Sequence, residues 1–373
     1  MKKRMTLSRN QESIKAAGCE EFAAECARLR AQVEPWLKRG GRLPFLSNSH
    51  LRLGAGAYQT GGGKRLRPIL LLLSCGACDG AIEAALPAAA AVELFHTWSL
   101  IHDDIIDRDE LRRGKPTVHK LITQSAINEL RLEDALASHY GLSIAILAGD
   151  AVHGAAVDLL TMVGSDDNVR VALVRRMERY LLPGLLGGEA EDVRFSLLPF
   201  EQVSEAKVLR MLYLKTGLLM EYSAWAGATI ALGDANLRHP WSLALRRAAG
   251  EAGLAFQLQD DLLGIIGDER TLGKPVGSDL REGKRTPILL HALANTGAAE
   301  RARLKQLVGN RDLDSAGVKE AVGIIERAGG IAYGRKLAES YQRRSLARLS
   351  ALPSSRAREL LASWIEYVVG REK

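Results

Sequence analysis

The sequence predicts an all-α protein, and three observations support this fold class. Alanine and leucine dominate the composition, while Phe, Trp and Tyr make up only 5% of the 373 residues, which favours helices over sheets. Apolar residues recur at three- and four-residue steps, as one face of a helix requires. No long stretch alternates strictly between apolar and polar residues, as a half-buried strand would.

The pattern divides the chain into an N-terminal extension, residues 1–45, and one helical domain, residues 46–373. In the extension, an amphipathic helix is predicted from Phe22 to Val33 and beyond, and Gly40 and Gly41 end it. Residues 42–60 contain one proline and two glycines, so we expect a loop there. From residue 61 onward the chain is predicted to be helical between glycine-rich breaks.

Charge and composition limit the classes of molecule that the protein is expected to bind. The chain has 51 Lys and Arg against 44 Asp and Glu, and its net charge is +7. The cations stand in short groups beside glycines, which favours phosphorylated small molecules, and no aromatic-interleaved basic patch supports nucleic-acid binding. The N-terminus lacks the apolar core of a signal peptide, and the longest uninterrupted apolar run is too short to span a bilayer. We expect a cytoplasmic protein without a transmembrane segment.

A glycine-rich, basic segment is the first candidate site. Residues 61–68 read Gly-Gly-Gly-Lys-Arg-Leu-Arg-Pro and precede an apolar helix. Backbone N–H groups and a helix N-terminus favour a phosphate, and Lys64 and Arg67 would complete the cradle. The spacing differs from a Walker A loop. A flexible linker with solvating charges remains the alternative.

An acidic helix end is the second candidate site. Asp103 and Asp107 lie one turn apart on the same helical face, where like charges repel. A cation between them would explain the pair, and oxygen-only ligands suit Mg²⁺. His96 lies seven residues earlier on the same face. The alternative is a solvated acidic face followed by a basic turn.

Three later features complete the pattern. Asp260 and Asp261 echo the first acidic site 157 residues later (260 − 103). Lys215 lies in an otherwise apolar helix, where it needs an anionic partner unless it snorkels to the surface. Lys274 and Lys284 each follow a glycine in loop segments.

Two carboxylate sites that face several positively charged side chains can hold Mg²⁺ and a diphosphate leaving group. Apolar helices would shield the carbocation that forms when the diphosphate leaves.

The motifs together resemble the trans-isoprenyl diphosphate synthase family over about residues 55–300. In chain order they are GGGKRLRP, ELFHTWSLIHDDIID, LRRGKPTVH, AGDAV, LKTG, FQLQDD and LGKPVGSDLREGKRTP. The resemblance implies a helical bundle around a deep central tunnel, usually dimeric. It also implies that an allylic diphosphate (dimethylallyl, geranyl or farnesyl) ionises and that isopentenyl diphosphate attacks the cation.

The resemblance assigns roles to individual residues. Asp103 and Asp107 would bind two Mg²⁺ ions with support from Asp104, and Asp260 would bind a third with support from Asp261. The allylic diphosphate would be held by four positively charged side chains: Arg112, Lys215, Lys274 and Lys284. Isopentenyl diphosphate would be held by Lys64, Arg67, His96 and Arg113. The allylic carbocation that forms when the substrate ionises would be stabilised by the oxygen dipoles of Thr216 and Gln257.

Two positions depart from the family pattern. Gly264 stands where the commonest second acidic motif has a third aspartate, which puts the affinity for the third metal in doubt. Asp268 would replace that aspartate if the helix continues. Glu189 stands where the family has a glutamine. The motif with Gly264 also motivates an alternative, a non-catalytic subunit of a heteromeric synthase, and a class I terpene cyclase is a second alternative.

Product length is predicted from the residues just before the first acidic site. Trp98 and Ser99 lie five and four residues before Asp103, where the family places the tunnel floor. With no insertion between the aspartates, the pattern resembles geranylgeranyl diphosphate synthases, which make a C20 product. Because Trp is larger than the usual Tyr or Phe, a C15 farnesyl product is the alternative. Trp98 could also simply pack in the core.

Overall fold

The structure, a computed structural model, describes residues 2–41, 43, 46–58, 63–266 and 277–370, with side chains from residue 20 onward. The first helices are α1 (Lys2–Gly40), α2 (Ser49–Gly56), α3 (Leu66–Gly76), α4 (Ile82–Ile106), α5 (Val118–Leu130), α6 (Asp134–Thr161), α7 (Asp167–Arg176), α8 (Leu182–Leu197) and α9 (Glu205–Leu212). The remaining helices are α10 (Leu218–Leu232), α11 (Pro240–Ile266), α12 (Ser278–Glu282), α13 (Pro287–Asn295), α14 (Ala298–Leu307), α15 (Ser315–Arg327), α16 (Gly330–Arg348) and α17 (Arg356–Val369).

The predicted all-α class is confirmed. Within the described residues, strands are limited to β1 (Leu111–Arg112) and β2 (Lys115–Pro116), which pair antiparallel as a short hairpin. Arg113 and Gly114 turn this hairpin at φ angles of 53° and 73°. The loop expected over residues 42–60 is wrong in part, because α2 lies inside it. Asn48 caps that helix by accepting a hydrogen bond from the Leu51 amide at 2.9 Å, which offsets its glycines.

The main hydrophobic core surrounds α10, which is buried along nearly its whole length, and packs it against α3, α4 and α11. Helix α1 contributes to this core, because Leu29 and Val33 are fully buried. The sequence-based boundary at residue 45 stays a prediction. A second cluster is built mainly from α13 to α15 and the end of α11, whereas the C-terminal helix α17 packs in the main core.

Helices α4 and α6 are long and apolar enough to cross a membrane. In α4, 72% of the most apolar window is buried inside the protein, which identifies a core helix, whereas the figure for α6 is 50%. The sequence expectation rested on uninterrupted apolar runs and did not register these two helices. The exposed residues of α6 include four large apolar side chains: Leu136, Leu142, Ile146 and Leu147.

A π-helical turn, Tyr213–Gly217, joins α9 to α10 and holds Lys215 and Thr216. Helix α8 packs directly against it. A side chain at Gly188 would place its Cβ 2.7 Å from the Lys215 backbone nitrogen, so only glycine permits this approach. The π turn, the end of α4, α8 and α11 thereby converge on one region of the fold.

Candidate active site

A cavity of about 1020 Å³ opens where these elements converge. It brings together nearly all of the predicted site residues. Those that line it are Lys64, Arg67, His96, Trp98, Ser99, Asp103, Asp107, Arg112, Arg113, Lys215, Thr216, Gln257, Asp260, Asp261 and Lys284. Asp104 is fully buried behind this wall. Lys274 and Asp268 lie outside the described residues.

The first acidic site is formed by three carboxylates rather than two. Asp103 lies in the last turn of α4, Asp107 follows its end, and Glu189 reaches across from α8. One carboxylate oxygen from each residue lies within 4.8 Å of the others. Three hard oxygen donors at this separation fit a divalent cation such as Mg²⁺. The sequence interpretation did not include Glu189 among the candidate metal ligands, although Glu189, Glu191 and Asp192 form an acidic run.

Two lysines neutralise this carboxylate cluster. The Lys215 ammonium lies 3.2 Å from Asp103, 2.9 Å from Glu189 and 2.9 Å from Asp192. Lys215 therefore does not snorkel to the surface, because its charge is paired inside the cavity. The Lys284 ammonium lies 3.3 Å from Asp107. The two cations come from separate elements, so the cluster forms only in the folded chain.

Arg112 has a structural partner as well as a position on the cavity wall. Its Nε donates to Oδ1 of the buried Asp104 at 2.7 Å, and its Nη2 lies 3.3 Å from Asp103. The Tyr58 hydroxyl also donates to Asp104. Asp104 thus fixes the arginine against the end of α4, and its support of the metal-binding aspartates stays a prediction. Nothing in the local sequence marked Tyr58.

The surrounding charges set the protonation of this cluster. Burial alone would raise the pKa of Asp103, but the positive charges of Lys215 and Arg112 hold it below the usual range. Burial raises the pKa of Asp107. Burial, with the negative charge of Asp103, raises the pKa of Glu189 to about 7. The three carboxylates of this cluster therefore differ in how readily each gives up its proton.

The surroundings of His96 favour its neutral imidazole form. Burial and the charges of Arg67, Arg112 and Arg113 lower its pKa well below the ordinary value. The loop before α3 is held by Arg65, which pairs with Glu93 at 2.9 Å. The sequence interpretation did not separate this anchoring arginine from its cavity-lining neighbours.

A hydrogen-bonded chain joins the π turn to the second acidic site. Thr216 Oγ1 donates to Gln257 Oε1 at 2.9 Å, and Gln257 Nε2 donates to Asp261 Oδ1 at 3.0 Å. Asp261 is 5% exposed, and burial followed by the charge of Asp279 raises its pKa to about 8. Asp260 lines the cavity beside it.

Trp98 forms part of an aromatic cluster at the cavity wall. Its ring centre lies 4.9 Å from that of Phe95, 5.3 Å from that of His153 and 5.5 Å from that of His102. Trp98 is only 7% exposed. This packing holds the ring in place, so the indole can both belong to the core and close one side of the cavity.

Comparisons with known proteins agree with this geometry. The polyprenyl synthetase family model matches residues 54–325. The short chain isoprenyl diphosphate synthase of Methanothermobacter thermautotrophicus is 38% identical over 314 residues, which cover 84% of this chain and 88% of the relative.

Two solved structures are similar over nearly their whole length. Geranylgeranyl pyrophosphate synthetase from Pyrococcus horikoshii Ot3 has a TM-score of 0.82 at 32% identity, covering 95% of this chain and 99% of that one. Geranylgeranyl pyrophosphate synthase from Corynebacterium glutamicum, complexed with isoprenyl diphosphate and magnesium, has a TM-score of 0.81 at 27% identity, covering 93% and 98%. The motifs, the fold and these matches agree: the chain belongs to the polyprenyl synthetase family.

Proposed function

We propose that the protein is a Mg²⁺-dependent head-to-tail prenyltransferase that condenses isopentenyl diphosphate with an allylic diphosphate. The observation that carries this proposal is the meeting of Asp103, Asp107 and Glu189 with the ammonium groups of Lys215 and Lys284 in one cavity. Carboxylates alone would bind metal, and cations alone would bind anions. Their combination suits a metal-bound diphosphate.

The reaction begins when the C1–O bond of the allylic substrate breaks and diphosphate leaves. Lys215, Lys284 and Arg112 hold the departing oxygens by charge. Mg²⁺ bound to the carboxylates would neutralise the leaving group further. The double bond of isopentenyl diphosphate then attacks C1 of the cation, and a new C–C bond forms. A proton lost from the resulting cation passes to the released diphosphate.

The remaining wall residues position the two substrates. Lys64, Arg67 and Arg113 supply charge for isopentenyl diphosphate on the His96 side of the cavity. Neutral His96 offers a hydrogen bond there without adding charge. The Thr216 and Gln257 oxygens, which are hydrogen-bonded to each other, face the cation's path as fixed dipoles. Asp103, Asp107 and Glu189 would hold two Mg²⁺ ions and Asp260 a third, and these ions would supply further positive charge for the diphosphate.

The proposed product is geranylgeranyl diphosphate, a C20 chain. Trp98 and Ser99 both line the cavity, five and four residues before Asp103, and we assign to the Trp98 ring the role of stopping chain growth. The Pyrococcus horikoshii synthetase supports this length by its name and similarity. The bulk of Trp98 favours farnesyl diphosphate, a C15 chain, as the second candidate.

We further propose a cytoplasmic homodimer. The exposed apolar residues of α6, together with Leu130 at the end of α5, form a face that a second copy would cover. Sedimentation of the purified protein tests this assignment. A dimer that a charged substitution such as Leu147→Glu converts into monomers supports it, whereas a wild-type monomer contradicts it.

One assay tests the function. The purified chain is incubated with Mg²⁺, isopentenyl diphosphate and dimethylallyl, geranyl or farnesyl diphosphate, and the products are identified by chain length. We expect consumption of isopentenyl diphosphate and a C20 product. A C15 product would support the second candidate. Hydrocarbons formed without isopentenyl diphosphate would indicate a terpene cyclase, and turnover only with a second chain would indicate a non-catalytic subunit.

A further inference from the structure

The second acidic site has a glycine where a third carboxylate is common. Gly264 lies in the last turns of α11, and its carbonyl accepts a hydrogen bond from the Gly277 amide at 3.1 Å. This bond ties the end of α11 to the start of α12. As a result, Asp279 in the first turn of α12 is carried to the same place on the cavity wall.

Asp279 fills the space that a side chain at position 264 would need. A Cβ atom on Gly264 would lie 3.0 Å from Asp279 Oδ2, which is shorter than ordinary van der Waals contact. An aspartate at position 264 would extend its own carboxylate into the region that the Asp279 carboxylate already occupies. The glycine and the aspartate are therefore spatially complementary.

A second observation points to a cation at this place. Asp261 is 5% exposed, and its Oδ2 atom is buried with no hydrogen-bond partner, while Oδ1 accepts from Gln257. A buried carboxylate oxygen without a donor is costly, and a bound cation would satisfy it. Asp260, Asp261, Gly264 and Asp279 all line the same cavity.

We propose that Asp279 supplies the carboxylate that Gly264 lacks, so that Asp279 joins Asp260 and Asp261 in holding a divalent cation at the second acidic site. The assignment deepens the proposed function and rests on it. The assignment explains how position 264 can be a glycine while the second acidic site still binds a cation, because the oxygen ligand comes from α12 instead of α11. The third ligand thus comes from α12, 15 positions after Gly264 (279 − 264), but lies adjacent to it in space.

The test measures metal binding directly. Binding of Mn²⁺ is followed by electron paramagnetic resonance in the presence of inorganic diphosphate, for the wild type, Asp279→Asn, Gly264→Asp and the double variant. Asp312→Asn, an exposed carboxylate outside the cavity, is the matched control. Circular dichroism confirms that each variant is folded, and Asn preserves the volume of Asp279.

We expect Asp279→Asn to weaken one Mn²⁺ site by about tenfold or more, as loss of a ligand or its support does in other metal sites. Gly264→Asp alone should lower the melting temperature, because two carboxylates would compete for one place. In the double variant, the new aspartate should restore Mn²⁺ binding. Unchanged Mn²⁺ affinity in Asp279→Asn, or no restoration in the double variant, would overturn the assignment.

The prenyltransferase assay separates this inference from the proposed function. Wild-type turnover together with unaltered Mn²⁺ binding in Asp279→Asn rejects the ligand and leaves the function intact. Absence of condensation in the wild type, with a diphosphate-dependent Mn²⁺ site that Asp279→Asn weakens, rejects the function and leaves the ligand assignment standing.

Discussion

The ammonium group of Lys284 lies 3.3 Å from the carboxylate of Asp107, although the two residues are 177 positions apart in the chain. Lys215 pairs with Asp103 in the same way. In the free protein the two lysines therefore occupy positions beside carboxylates that would otherwise attract metal. A divalent cation must compete with them, and incoming diphosphate would draw the ammonium groups away.

Lys284→Gln should separate metal binding from catalysis. Without the competing ammonium, we expect Mn²⁺ to bind the free protein several-fold more tightly, because Asp107 is no longer neutralised. Turnover should nevertheless fall by about a hundredfold or more, since a cation that stabilises the leaving group is lost. Metal titration followed by electron paramagnetic resonance and steady-state assays measure the two effects.

The exposed Lys336, converted to Gln, is the control for this experiment and should change neither quantity. A loss of metal affinity in Lys284→Gln would contradict the competition that the ion pair implies.

Glu189→Gln should weaken the first metal site. Glu189 provides one of three carboxylates within 4.8 Å, and an amide oxygen carries no charge. We expect the Mg²⁺ concentration for half-maximal activity to rise by about tenfold. Lys215 keeps Asp103 and Asp192 as partners, so the variant should remain folded. Glu191→Gln, on the exposed side of α8, should behave as the wild type; an unchanged Mg²⁺ requirement in Glu189→Gln would remove that residue from the site.

Tyr58→Phe should reveal how much the hydrogen bond between Tyr58 and the buried Asp104 contributes to the free energy of unfolding. The hydroxyl donates to Asp104, which is fully buried, so its removal leaves a buried carboxylate with fewer donors. We expect a loss of about 1–3 kcal/mol in the free energy of unfolding, measured by urea denaturation. The matched variant Tyr341→Phe keeps its aromatic ring and should lose far less. Equal losses in both would mean that the bond to Asp104 contributes little.

Trp98→Ala should lengthen the product. The indole packs against Phe95 and His153 at the cavity wall, and its removal would enlarge the cavity in which we propose that the chain grows. Chromatography of the prenyl products should show chains of more than twenty carbons. Trp241→Ala, away from the cavity, provides a control for the general effect of losing a tryptophan. An unchanged product distribution in a folded Trp98→Ala variant would show that chain length is set elsewhere.

Asp261→Asn should remove a pH dependence of stability. Burial raises the pKa of Asp261 to about 8 from an ordinary value of 3.8, so the folded state holds this proton more tightly than the unfolded state. That contribution to stability is complete below pH 3.8 and is lost as the pH rises through about 8. The melting temperature of the metal-free wild type should therefore fall relative to that of the variant between about pH 5 and pH 9. This is roughly the range in which Asp261 of the folded protein loses its proton.

Differential scanning calorimetry across that range measures the effect. Asp312→Asn, at an exposed position, should follow the wild type in parallel. A constant difference between the wild type and Asp261→Asn at every pH would contradict the raised pKa.

The sequence was sufficient to predict the all-α class and to select residues that mostly line one cavity, because helical spacing determines which local side chains share a face. Asp103 and Asp107 are one such pair. Contacts between segments far apart in the chain could not be predicted from the sequence alone. Tyr58 lies in the turn that follows α2, with no local feature that indicates Asp104 as its partner.

Glu189 and Asp279 illustrate the same limit. Each is one acidic residue among several in its segment, and only the packing of α8 or α12 against the other helices brings it to the carboxylates. The helix α2 was missed for a different reason. Its glycines suggested a loop, while Asn48 stabilises the first turn.

The π turn at Tyr213–Gly217 bears on how this site could arise in evolution. A π turn contains one residue more than the α-helical turn it replaces. Insertion of a single codon into a continuous helix would therefore suffice to create it, while α9 and α10 kept their neighbours. The extra residue changes which side chains face inward at Lys215 and Thr216. A reactive group can thus be added to such a bundle at one point, without a redesign of the surrounding core.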